Sequence, residues 1–474
     1  MKEGKALRRT RVAGFVLALL LLLSGCSGGA AGEKTGGDAG RERYTVGFGM
    51  TELIAPGDDI GEYYIAGYRN DNRASGVLDW QTARAVFIDD NSGRGGIVIV
   101  SVDCVGLSSF DVGRMKENMA KLCEEAGVRS VHIISTHNHA GIDTLGLWGP
   151  VAESGRDERF MRVVYDGVYG AVEMALASRK DGDIYLGSIE VDDSVFHDSR
   201  YPEIYSRRLT VIRFEPSDGS AGVRIANFGA HAEALRSKNS LVSADFPCYM
   251  GRRIKEASGD EFMFLPGAVG GLIYTNTMRS GGTELVPEEN VVATGELLAD
   301  YALAIDNEQK LDVSLDIAVE EIEIPVENTT FTVMAFLGVL PTRFVSGNSV
   351  RTQVSYIELG GGALKALMIP GELFPELAWG GEKIYAASPQ NDNPNTLSQL
   401  AGDDGLLIFG LCDDEIGYII PPDDFLVDDK LPYLSEATDS AGRSHYEDTN
   451  SLGPDTANYI AEAARAAINR VRSE

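Results

Sequence analysis

The sequence predicts an α/β fold: a mixed β-sheet core flanked by helices, with a metal site at the carboxyl ends of strands. Three observations predict it. Short apolar runs rich in β-branched residues alternate with longer stretches of helical periodicity along most of the chain. Hydrophobic residues make up 44% of the 474, as expected of a globular protein with a substantial core. Several of the strand-like runs end in histidine, glutamate or tyrosine, and α/β sheets build their sites in the crevice beyond strand carboxyl ends.

The first residues stand apart from that pattern. Lys2, Lys5, Arg8, Arg9 and Arg11 precede an apolar stretch over 12–23 that is too short to span a bilayer comfortably. Leu23-Ser24-Gly25-Cys26 follows and looks like a bacterial lipobox. Residues 1–25 therefore read as a lipoprotein signal peptide, Cys26 as the lipidated residue and 26–43 as a Gly-rich flexible tether. The expectation is an exported protein held by a lipid anchor on the outer face of the bacterial cell membrane, with one domain over 44–474.

Within that domain, strand-like runs occupy 44–49, 83–88, 96–102 and 131–135, then 183–189, 209–214, 223–228 and 262–265. Further runs occupy 313–324, 353–359, 363–369 and 406–411. Each is short and apolar or alternating, as buried and half-buried strands are. Helical spacing of apolar residues marks 111–126, 157–177, 246–257, 289–307, 373–387 and 456–471. Pro/Asp-rich stretches over 388–404 and 421–449 read as long loops, which in compact domains are usually functional or mobile.

Charge narrows the partners. The net charge is -29, and it becomes more negative once the basic leader is set aside. Such acidity argues against nucleic acid, whose binding is dominated by phosphate neutralisation. It argues equally against electrostatic docking on anionic lipid, so the anchor has to hold the protein at the membrane. Cys104, Cys123, Cys248 and Cys412 are scattered with no C-x-x-C spacing, and their pairing is left open. Oligomeric state is likewise unread.

The run at 131–135 delivers Thr136-His137-Asn138-His139-Ala140-Gly141 to its end. Residues i and i+2 of an extended segment point the same way, so His137 and His139 can face one site. The strand at 223–228 leads to His231, the one at 363–369 to Pro370-Gly371-Glu372, and the one at 406–411 to Gly417-Tyr418. Two imidazoles, a carboxylate and a phenol can hold a zinc ion and leave a position for water. Each member also has a plainer reading, as a structural histidine, a turn residue or a packing corner.

These ordered elements resemble the catalytic domain of the neutral (alkaline, non-lysosomal) ceramidase family from Tyr44 onward. The matches are Thr136-His137-Asn138-His139-Ala140-Gly141, His231-Ala232-Glu233, Pro370-Gly371-Glu372, Gly417-Tyr418-Ile419-Ile420, then Tyr446-Glu447 and Gly453-Pro454. The resemblance implies Zn2+ held by His137, His231, Glu372 and Tyr418. It implies that His139 and Tyr446 contact the substrate carbonyl or its oxyanion, and that Arg200 contacts substrate. Asp245 matches an acidic family position that could orient a ligand, or it could cap the following helix.

Two departures accompany the resemblance. The family loop carrying its serine nucleophile aligns with 267–276, which puts Ile273 at the serine and Gly271 at an aspartate. The family's carboxy-terminal immunoglobulin-like domain is expected to be missing. With no nucleophile on Ile273, the implied reaction is hydrolysis of an amide in an N-acylated, amphiphilic, lipid-like substrate by metal-activated water. The alternatives are a non-catalytic lipid- or glycan-binding surface lipoprotein of the same fold, or a purely structural one.

Other candidates read as bland. His132 alternates away from the site, His197 and His445 fall in loops, and Asp423-Asp424 with Asp428-Asp429 read as a solvated acidic face without EF-hand spacing. Trp148 reads as a packing residue or as the lining of an apolar mouth.

Overall fold

Runs apolar on both faces make strands buried throughout, such as 96–102. In the computed structural model the described residues are 42–473, except 202, 272, 276–278, 281–282, 342–347 and 382–385. Side chains at 196, 197, 274, 279, 280, 283 and 284 are also outside the description. The expected signal peptide, Cys26, most of the tether and the His197 side chain therefore lie outside the described residues.

Nine strands form the larger sheet. They are β1 (Tyr44–Glu52), β2 (Thr82–Asp89), β3 (Gly96–Val102), β4 (Val128–Ser135), β5 (Lys180–Glu190), β6 (Arg208–Pro216), β7 (Val223–Phe228), β8 (Glu261–Pro266) and β9 (Gln309–Lys310). The order is β8-β7-β6-β5-β1-β2-β3-β4, with β9 beside β5. The middle of the sheet is antiparallel, while β3·β4 and β7·β8 are parallel. Parallel neighbours need a crossover. Of the helices α1 (Ser109–Ala126), α2 (Glu158–Ala177), α3 (Phe246–Ser258) and α4 (Pro287–Leu303), α1 and α3 supply it.

Alternation on β2 explains why its run reads as continuously apolar. Ala83, Ala85 and Phe87 pack with α1 and α2, whereas Val86 and Ile88 face a second sheet. Helix α2 lies so close to β1 that a Cβ at Gly47 or Gly49 would overlap the carbonyls of Ala175 or Ala171. Helix α1 starts at Ser108, whose side chain accepts from the Asp111 N–H, and stops at Gly127 in the left-handed region (φ 74).

The second sheet contains β10 (Leu315–Pro325), β11 (Ser349–Leu359), β12 (Leu364–Met368) and, past the short β13 (Glu372–Leu373), β14 (Leu407–Phe409). Its order is β10-β11-β12-β14, and β13 pairs instead with β15 (Tyr418–Ile419). Val46, Val86 and Ile99 meet Ile357, Met368 and Phe409 between the two sheets. Four more helices complete the fold: α5 (Thr329–Phe336), α6 (Pro375–Trp379), α7 (Leu397–Ala401) and α8 (Thr456–Ser473). The outer face of the second sheet is covered by α8 through Ile460, Ala464 and Ile468. The layers run helices, sheet, sheet, helix.

Some sequence expectations need correction. The helix expected over 373–387 is the five-residue α6, begun by Pro375 and ended at Gly380. The loop expected over 388–404 contains α7, held by a capping box between Thr396 and Gln399. Helix α5 was not expected at all. Its Thr/Val-rich sequence is a weak helix former, and the Asn328 side chain starts it by accepting from the N–H groups of Thr330 and Phe331.

The larger sheet curls. Ser101 Oγ on β3 donates to the Phe264 carbonyl on β8 at 2.7 Å, although those strands lie near opposite ends of the order. That curl brings the carboxyl ends of β4 and β7 together. Just beyond them Asn138 and Ala232 form a bridge, and the His139 N–H donates to the Ala232 carbonyl at 2.9 Å.

Candidate metal centre

Four chain segments meet at that joint. His137 and His139 follow β4, His231 follows β7, Glu372 opens β13 and Tyr418 opens β15. Glu372 and Tyr418 are register partners on the parallel β13·β15 pair, so both side chains leave the same face. His137 takes a left-handed backbone (φ 58), uncommon outside glycine, which turns its ring inward.

The donor atoms converge. Glu372 Oε2 lies 3.2 Å from His137 Nε2 and 3.1 Å from His231 Nε2. His139 Nε2 lies 3.2 Å from His137 Nε2. The far nitrogens are spoken for by backbone: His137 Nδ1 donates to the Val105 carbonyl at 2.8 Å and His231 Nδ1 to that of Ile273 at 2.6 Å. A carbonyl only accepts, so both Nδ1 atoms carry a proton, and both Nε2 atoms face the buried Glu372 carboxylate. Each Nε2 meets that carboxylate favourably only through positive charge, carried by a proton on the ring or by a cation between them. In a tetrahedral zinc site with ligands at about 2.0–2.1 Å, neighbouring donors sit about 3.3 Å apart, close to the separations seen here. The residues fit a metal.

Positive charge is favoured here: against burial, the bond to Glu372 raises the His231 imidazole above its ordinary value. Burial alone would raise the Glu372 carboxyl, yet His137 and His231 hold it far below the usual carboxylate range. His139 is pushed well below its ordinary value by burial and then by its two imidazole neighbours. The Tyr418 phenol is raised by burial and by the Glu372 charge, a trend that a cation at this point reverses.

One wall of an apolar cavity is built from these groups. His137, His139, Glu372, Tyr418 and Tyr446 line it, and Leu145, Trp148, Phe331, Leu340 and Leu452 form its apolar side. Trp148 thus lines the mouth rather than only packing.

Residues 44–277 match the family described as neutral/alkaline non-lysosomal ceramidase, N-terminal. These residues belong to that family.

Neutral ceramidase A of Dictyostelium discoideum is 22% identical over 224 residues, a match covering 43% of this chain and 30% of that protein. The chain thus spans less than a third of that relative's length. The solved neutral ceramidase of Pseudomonas aeruginosa superposes with a TM-score of 0.69 at 17% identity, over 90% of this chain and 75% of that one. A ceramidase complexed with C2 gives 0.68 at 16% identity, over 90% and 76%. At these identities the superpositions establish the fold. It is the mixed α/β architecture with helices flanking the sheets that the sequence predicts.

Within this chain some expected residues take other places. Arg200 is not in the cavity lining. Its guanidinium is buried, paired with Asp424, Glu447 and Asp448 at 3.0–3.1 Å and set over the Phe374 ring. An arginine so enclosed holds the segment that carries Tyr446, through Glu447 and Asp448. Asp245 does not touch a candidate ligand either. It caps α3 through the Phe246 N–H and clamps the loop after His231 through those of Ala234 and Leu235. Ile273 is buried in the core, and its backbone carbonyl, not its side chain, meets His231.

His445, expected in solvent, is fully buried and bonded to Arg200, and Asp424 is buried rather than part of a solvated face. His132 faces away from the site, as its alternation required, and bonds Asp413, which also takes Lys116 and Gln353. Cys104, Cys123, Cys248 and Cys412 are free and buried.

Two acids escaped the sequence reading. Glu233 accepts from the Tyr68 hydroxyl and stands 3.5 Å from His139 Nδ1. Its signal was visible: His231-x-Glu233 repeats the i, i+2 spacing of His137-x-His139. Glu415 lines the cavity, with Oε1 accepting from the Gly417 N–H and Oε2 free of any partner. Burial and the Glu372 charge push its carboxyl well above the usual range.

Proposed function

We propose that this chain is a zinc-dependent, ceramidase-like hydrolase that cleaves the amide of an N-acylated lipid-like substrate. The observation that carries the reading is the convergence of two Nε2 atoms, from His137 and His231, on the Glu372 carboxylate. The ceramidase-family match of residues 44–277 and the apolar cavity beside those atoms support the substrate class. Zinc held by His137, His231, Glu372 and Tyr418 would supply Lewis acidity and a water made acidic near neutral pH.

The chain's own residues do the rest. The apolar wall takes the acyl chain and excludes water, strengthening the polar contacts inside. Tyr446, and His139 with its proton on Nε2, would donate to the oxygen of the amide as negative charge develops there. Glu415, whose carboxyl burial and the Glu372 charge hold well above its ordinary range, would give a proton to the departing nitrogen. Ile273 leaves no side-chain nucleophile in the reading.

The test combines metal analysis with a hydrolysis screen over N-acyl-sphingoid and N-acyl-amino-acid substrates. The expected result is one zinc per chain and turnover lost in His137→Ala and Glu372→Gln. Zinc bound without turnover on any substrate would leave a binding protein. No zinc, or turnover indifferent to both changes, removes the reading. The same proposal includes export and anchoring through Cys26, tested by fatty-acid labelling that Cys26→Ser should abolish.

A further inference from the structure

Helix α5 has an unusual exposure. Its eight residues include Phe331, Val333, Met334, Ala335 and Phe336, yet none of its side chains is buried. Phe331 turns inward to line the cavity. Val333, Phe336 and the adjoining Leu337 are 55%, 88% and 58% exposed, and their i, i+3, i+4 spacing puts them on one face.

Two neighbouring segments extend this face. Thr330 Oγ1 donates to the Tyr433 carbonyl at 3.2 Å, which ties α5 to the turn that exposes Leu431 and Leu434. Ser154 Oγ donates to the Val339 carbonyl at 3.3 Å, tying the chain after α5 to the loop that exposes Val151. The most exposed large apolar side chains among the described residues are Val151, Phe336, Leu434 and Leu337, and all four belong to these tied segments. Scattered exposed apolar residues are ordinary, but a patch shared by linked segments marks an interaction surface. The same segments wall the cavity, through Leu145, Trp148, Phe331 and Leu340.

We propose that this face docks on the uncharged surface of a lipid bilayer, so that an acyl chain passes from the membrane into the cavity without crossing water. Charge selects the kind of bilayer. Glu153, Glu327, Asp428, Asp429 and Glu436 flank the patch in sequence, against Arg156, Arg343 and Lys430, in a chain of net charge -29. Anionic lipid is repelled, and zwitterionic lipid leaves apolar contact as the attraction. Among the described residues no helix is long and apolar enough to cross a membrane, so contact is at the surface. The docking itself does not depend on the hydrolase reading; only the route taken by the acyl chain does.

Hydrogen–deuterium exchange of the full chain, with and without phosphatidylcholine vesicles, tests the proposal locally and independently of any anchor. Exchange over 329–337 and 431–434 is expected to slow at least tenfold on vesicles, while 456–473 is unchanged. Phe336→Ser combined with Leu337→Ser should abolish the slowing. That variant should also reduce hydrolysis of a vesicle-embedded N-acyl lipid about tenfold and leave a water-soluble short-chain substrate untouched. No slowing on phosphatidylcholine overturns the proposal, as does slowing only on phosphatidylglycerol vesicles. Slowing that grows with protein concentration in the absence of vesicles assigns the face to a second copy, and also overturns it. Slowing in a protein that hydrolyses no substrate upholds docking while the hydrolase reading falls.

Discussion

Replacing Arg200 by methionine keeps much of the side-chain volume and removes one buried charge. In the native protein Nη1 lies 3.0 Å from Glu447 and 3.1 Å from Asp448, and Nη2 lies 3.0 Å from Asp424. Asp424 keeps Arg443 at 2.9 Å and Asp448 keeps His445 Nδ1 at 3.3 Å, but among the described residues no other arginine or lysine pairs with Glu447 or Asp448. Removing one partner of a buried pair costs about 3–5 kcal/mol because a charge is left uncompensated, and Arg200→Met should fall in that range. The pH dependence follows from Glu447, whose carboxyl burial already raises despite Arg200. Without the arginine it rises further, so the folded variant binds protons that the unfolded chain has released. Stability of the variant then falls as pH rises through the acids' unfolded range. The penalty should be largest near pH 8 and shrink towards pH 5. Urea titration of both proteins at these two pH values measures it. A penalty below about 1 kcal/mol and equal at both pH values, accompanied by lost hydrolysis, would return Arg200 to direct substrate contact and refute the positional role.

Zinc added at about a thousand times its dissociation constant should stabilise the fold by about 4 kcal/mol, or about 4–5 °C for a domain of this size. Differential scanning calorimetry should show that shift cut sharply in Glu372→Gln. Asp198 is pushed up to about 8, first by burial, against the N–H groups of Arg200 and Ile204. Because its folded value is raised, wild-type stability should decline between about pH 5 and 8; Asp198→Asn should flatten that decline in thermal melts. Ile273→Ser should cost about 2–4 kcal/mol of stability by chemical denaturation, since it opens a core cavity and buries a hydroxyl. It should restore no faster hydrolysis. Gly67→Ala places a Cβ about 2.6 Å from the His139 ring in a left-handed backbone (φ 108). It should lower kcat far more than it changes zinc stoichiometry.

The strands of the larger sheet were legible because burial on both faces writes them as unbroken β-branched runs, such as 96–102. Helices α1, α2, α3 and α8 were legible because one buried stripe recurs every three to four residues. Helices α5 and α7 were not, since caps on Asn328 and Thr396 rather than periodicity create them. The expected convergence of His137, His231, Glu372 and Tyr418 was legible because each ends or follows an apolar run. Arg200 was misjudged because a lone arginine carries no sign of what surrounds it. Asp424, Glu447 and Asp448 are more than two hundred residues away along the chain.

What the sequence determined by itself was the set of local facts: which runs are buried, where they stop, and which side chain types stand at their ends. Those follow from periodicity and residue chemistry, which act over a few residues. What only the tertiary structure decided was which ends meet. The curl that brings β8 against β3 sets His231 beside His137, and the β13·β15 pairing sets Tyr418 beside Glu372. Contacts of that kind depend on how two sheets and their covering helices pack, a property of the whole chain that no short window contains.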